Sequence, residues 1–121
     1  MTDTVARPYG DPLAWQHAPP SLTGAVALLL GGYGWDASTT PDGVIVIPLD
    51  DRARGLTGPV ARGEDLQVLW AGARPEWHWG TAHPHAVTGG HLAQLLAHPV
   101  DGPATITAQI LRVLRTGRTL P

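Results

Sequence analysis

The sequence predicts an α+β fold: a small antiparallel sheet of three to four strands with helices packed on one face, in the order, roughly, α-β-β-β-(α)-α. Two helical patterns bracket the chain, Leu22, Val26 and Leu29 near its start and Ile106, Ile110, Val113 and Leu114 near its end. Between them, Val44, Ile45, Val46 and Ile47 form a β-branched run. Residues 66–71 and 76–82 then alternate apolar with polar around Gly72, Ala73, Arg74 and Pro75, the pattern of a hairpin.

Taken in order, residues 1–20 form a proline-rich N-terminal arm, since Pro8, Pro12, Pro19 and Pro20 interrupt regular structure. Trp15 and His17 either tack this arm onto the body or leave it mobile. One domain follows over residues 21–121. Ser21 is suited to cap the first helix, and Gly31 and Gly32 to close it with a left-handed residue. Trp35 then plugs the core where helix gives way to sheet. Asp42 and Gly43 make a turn before the β-branched run, which Pro48 ends. An unbroken apolar run suits a strand buried on both faces, or an edge strand covered by a helix.

In the hairpin, alternation places Leu66, Val68 and Trp70 on one face with Trp77 and Trp79 opposite them, while Gln67, Glu76 and His78 face the other way. Leu92, Leu95 and Leu96 fit a short helix over residues 92–97, although the six-residue length fits a strand equally well; a helix is the expectation. The last helix opens at Asp101, Gly102 and Pro103, and Gly117 ends it.

Composition bounds the function. The chain has 121 residues, 43% of them apolar, enough for a single core. Its longest apolar run, residues 25–30, is far short of the roughly 20 residues that span a bilayer. The N-terminus lacks the basic start and apolar centre of an export signal, so a cytoplasmic location is expected. There is no cysteine, which excludes disulfides and thiolate ligands. Eight arginines against ten acids give a net charge of −2, which disfavours nucleic acid as the partner.

The chemistry concentrates in residues 70–91. Trp70, Trp77, His78 and Trp79 are the candidate partner-binding residues, and the three indoles serve either as core filling or as an exposed stacking platform. His83, His85 and His91 are candidate zinc ligands, imidazole being the commonest metal donor. No carboxylate in residues 77–100 stands ready to complete or orient such a site. Arg112, Arg115 and Arg118 lie opposite the apolar stripe of the last helix, as a solvated face or a nucleic-acid contact. No catalytic residue is nominated. The serines, Ser21 and Ser38, sit in no nucleophile elbow, and the glycines at 31–34 close a helix where a phosphate cradle opens one.

Residues 34–114 resemble a small actinobacterial domain of unknown function met on high-GC chromosomes and plasmids. The shared features are Gly34-Trp35, the Trp77-x-Trp79-x-x-Ala82 hairpin and a helix opened by Pro103-Ala104. The resemblance covers about two-thirds of the chain. It implies a strand over residues 92–96, here without the tryptophan of that family's further strand, and it implies no activity. The expectation is therefore a non-enzymatic interaction or regulatory module without a cofactor. Its partner is another protein or a second copy of itself.

Overall fold

The computed structural model describes residues 9–49, 65–71, 76–82, 93–95, 97 and 102–116. A 3₁₀ turn, Pro12–Ala14, leads into helix α1, Pro20–Gly32. Strands β1 (Ser38–Thr39), β2 (Ile45–Pro48), β3 (Asp65–Ala71), β4 (Glu76–Ala82) and β5 (Ala93–Gln94) follow, and helix α2, Pro103–Thr116, comes last. The five strands lie side by side in chain order, each antiparallel to its neighbour. This is the α+β arrangement expected, extended at both sheet edges by a two-residue strand.

The sheet has one apolar face because its residues alternate. Ile45 pairs with Val68, Ile47 with Leu66 and Trp70 with Trp77, and all six are buried. Directly opposed residues share a face, so the register gathers them into one layer. The helices cover it: α1 contributes Leu22, Val26 and Leu30, and α2 contributes Ile106, Ile110, Val113 and Leu114, to the same cluster. α1 and α2 also pack on each other.

Several local readings need correction. Ser21 does not cap α1: the cap position is Pro19, with Pro20 at the first turn, where a missing N–H costs no intrahelical bond. Thr23 instead turns its hydroxyl back onto the carbonyls of Pro19 and Pro20. The buried row of α1 runs through Leu30, while Leu29 lies at the rim. Gly31 and Gly32 are still helical; the left-handed residue is Gly34, at φ +90°. Around it the Gly34 N–H reaches Gly31 O (3.0 Å) and the Trp35 N–H reaches Leu30 O (3.1 Å), the paired bonds of a Schellman motif. Trp35 is thereby folded back onto the core, half-buried.

Val46 is half-buried while Ile45 and Ile47 are buried, so β2 is covered fully on one face only, and it lies inside the sheet between β1 and β3. The turn at Asp42 and Gly43 therefore joins two strands. The Gly43 N–H donates to Thr40 O (2.9 Å) and the Thr40 N–H to Val44 O (2.9 Å), a three-residue hairpin loop with Gly43 at φ +76°.

Residues 93–95 are not helical. Gln94 pairs with His78, Ala93 with Trp79, and the Leu95 N–H continues the ladder to Trp77 O (2.9 Å). Leu95 and Ala97 are both buried, and beyond the strand the Ala97 N–H donates to Leu95 O (2.7 Å). The physical reason is the bare edge of β4, whose backbone groups this segment satisfies.

Two glycines give opposite expectations. A Cβ at Gly43 would stand 2.5 Å from Ala18 O, and the backbone is left-handed there. Gly43→Ala is expected to cost about 2–4 kcal/mol in denaturant unfolding. At Gly24, in the helix with nothing near its Cβ position, Gly24→Ala is expected to stabilise by about 0.5–1 kcal/mol in the same assay.

Candidate functional site

Register decides what the tryptophan-rich hairpin can offer. Trp70 and Trp77 oppose each other across β3 and β4 and meet edge to face, ring centroids 5.6 Å apart at 76°. Trp79 lies on the same face, opposite Val68, and packs half-buried against the core. His78 points to the other face, in a row with Leu69 on β3 and Gln94 on β5. The four candidate partner-binding residues therefore divide as the alternation predicts, three indoles inward and one imidazole outward. Trp77 is 0% and Trp70 4% exposed, so both serve as core filling. With no Phe in the chain, tryptophan supplies the large apolar volumes.

Trp15 joins this aromatic row from the N-terminal side. Its ring meets Trp70 edge on, at 5.0 Å and 72°, and its Nε1–H donates to Tyr9 O (2.9 Å). The sequence holds a signal for the contact in a tryptophan among prolines, but not its partner. His17, the other residue expected to fasten the arm, is exposed.

The indole N–H groups of Trp70, Trp77 and Trp79 are buried with no hydrogen-bond partner among the described residues. Buried indole N–H groups ordinarily find acceptors, and an unmet one costs about 1–3 kcal/mol. Three in one layer mark the part of the core least satisfied by its surroundings.

On the opposite face His78 keeps Nε2 3.6 Å from Glu76 Oε2, beyond a good hydrogen bond, and its Nδ1 is buried without a described partner. An imidazole beside a carboxylate is half of a nucleophile-activating set. Ser38 lies on the same face, through its pairing with Val46, but three strand spacings away, about 14 Å. Its hydroxyl does not reach the imidazole.

The proposed zinc ligands His83, His85 and His91 lie outside the described residues, as does Arg118. Among the described residues no group of three or more metal-donor side chains comes together. Arg115 is exposed on α2 and Arg112 is half-buried with an interaction of its own. No helix among the described residues is long and apolar enough to cross a membrane.

Sequence reasoning missed the outward side of α1. Leu28 is 79%, Tyr33 66% and Leu29 41% exposed. Residues 12–35 contain no Asp, Glu, Lys or Arg at all. The signal was present in the sequence as a helix without a charged side, which is not how a solvated helix reads.

Comparison with protein-family models, with curated proteins and with solved structures returns no match for this chain.

Since Trp77 is wholly enclosed, Trp77→Ala is expected to cost about 3–5 kcal/mol, a large part of the stability of a domain this size. Glu76→Gln, which leaves the volume and removes only the charge beside His78, is expected to cost about 1 kcal/mol or less. Parallel urea titrations of the two variants measure the difference.

Proposed function

We propose that this chain is a non-enzymatic interaction module that works through protein–protein contacts, with a second copy of itself as the partner. The observation that carries the reading is the outward face of α1. Leu28 stands in water on a helix that has no charged residue on any side, and the exposed Tyr33 follows at its C-terminal cap. Single exposed apolar residues are ordinary, but a continuous uncharged helix face is characteristic of contact surfaces.

The composition of the face supports a helix as what meets it. Gly24, Gly31 and Gly32 have nothing within 4 Å of where a Cβ would stand. These glycines relieve no crowding inside the fold, and each weakens the helix by about 0.5–1 kcal/mol relative to alanine. Outside the fold they would let a second helix approach closely, with the leucines filling the space between. An uncharged face is its own complement under twofold symmetry, as a self-pairing contact requires.

Sedimentation equilibrium over micromolar to millimolar concentrations tests this directly. The native chain is expected to self-associate, and Leu28→Glu to weaken the association about tenfold or more, about 1.4 kcal/mol for each factor of ten. The variant fold is expected to be intact, because Leu28 faces away from the core. A native chain that stays monomeric throughout, with Leu28→Glu indistinguishable from it, would remove the proposal.

A further inference from the structure

Glu76 and His78 stand two residues apart on β4, and so share the face of the sheet opposite the one that the helices cover. β4 is an inner strand, paired to β3 on one side and β5 on the other, so both side chains rise from a braced backbone. Their nearest atoms, His78 Nε2 and Glu76 Oε2, are 3.6 Å apart, with the imidazole side chain 13% and the carboxylate side chain 31% exposed. That spacing is too long for a hydrogen bond, for which about 2.7–3.2 Å is usual. It suits two donors on one cation: bonds of about 2.1 Å meeting at a tetrahedral angle hold their donors about 3.4 Å apart. The other ring nitrogen, Nδ1, is buried without a partner among the described residues, which leaves Nε2 to coordinate.

Strand β5 brings a further donor to this face. The Leu95 N–H donates to Trp77 O (2.9 Å), which makes Trp77 and Leu95 a hydrogen-bonded pair and their neighbours His78 and Gln94 a non-hydrogen-bonded one. Pairs of that kind stand closest in an antiparallel sheet, with Cα atoms about 4.5 Å apart. Gln94 therefore holds the register position on β5 nearest His78. Among the described residues no three His, Cys, Asp or Glu side chains come together, so the third donor here is an amide.

We propose that Glu76, His78 and Gln94 form a binding site for a divalent cation of the zinc class. His78 supplies Nε2, Glu76 a carboxylate oxygen and Gln94 its carboxamide oxygen, and water fills the remaining position. The imidazole selects ions such as zinc or nickel over calcium and magnesium, which take oxygen ligands. One charged donor of three, and an Nδ1–H left unmet, set the affinity in the micromolar range, well short of a structural zinc site. The site lies across the sheet from α1 and owes nothing to self-association through that helix.

The test titrates zinc chloride calorimetrically into the full chain, purified without a histidine tag. The native chain is expected to bind one zinc ion at this site with micromolar affinity. Glu76→Gln, which keeps the volume and removes the charge, is expected to weaken that binding at least tenfold, and His78→Ala to abolish it. His83→Ala combined with His85→Ala is expected to leave it unchanged. Binding that is absent at millimolar zinc, or that survives either Glu76→Gln or His78→Ala at native strength, overturns the site. Nuclear magnetic resonance of the native chain gives an independent decision should His78→Ala fail to fold. Zinc is expected to shift the ring signals of His78 and the side-chain amide of Gln94, and shifts confined to other histidines would overturn the proposal.

Discussion

The register of β3 against β4 is the constraint on which the rest of this structure depends. Trp70 opposes Trp77, and from that pairing the alternation along both strands sends Leu66, Val68 and Trp79 to the same side. A one-residue slip of β4 would reverse its whole set, turning Trp77 and Trp79 outward and Glu76 and His78 inward. The neighbouring strand β2 keeps the phase, with Ile45 and Ile47 beside Val68 and Leu66. Both helices then have one apolar layer to cover. The aromatic pair is well suited to fix this register, since two large rings meeting edge to face tolerate little displacement along the strand.

What the sequence made legible was periodicity, and periodicity reaches as far as strong local patterns go. Ile106, Ile110, Val113 and Leu114 mark α2, and the alternation on each side of Gly72–Pro75 marks the hairpin to within a residue of its observed ends. The two-residue strands were not legible, because a strand that short carries no pattern of its own. Ser38 and Thr39 pair because the Gly43 turn returns the chain to β2, and Ala93 and Gln94 pair because β4 offers an open edge. Leu92, Leu95 and Leu96 fit helical spacing as well as an alternating strand, and tertiary context decided between them. The helix ends turned on one-residue details. Ser21 has the right chemistry for a cap, yet Pro19 and Pro20 start the helix before it, and the glycine that needs its freedom is Gly34 and not the pair before it.

The candidate site was legible in part. Strand parity separates the indoles from His78, and the pairing bears that out. Parity does not say how deeply a face is buried, so the choice between aromatic platform and core filling required the helices to be in place. Nor does it reveal contacts between segments distant in sequence, such as Trp15 on Trp70. The uncharged character of α1 was visible in its composition, but only burial distinguishes Leu30, which the core uses, from Leu28, which it does not.

The position of the two helices along the chain bears on how this protein is made. Each described strand pairs with the described strand next to it in sequence, so the sheet forms from contacts of modest sequence separation. The contact between α1 and α2 is of long range, because the whole described sheet lies between them in sequence. During synthesis α1 emerges early with Leu22, Val26 and Leu30 uncovered, and its helical partner is translated only after all five strands. Until then the nascent chain carries an uncharged helix whose apolar residues have nothing to pack against. The same uncharged composition that equips α1 for a partner in the finished fold makes it the segment most in need of protection before folding is complete.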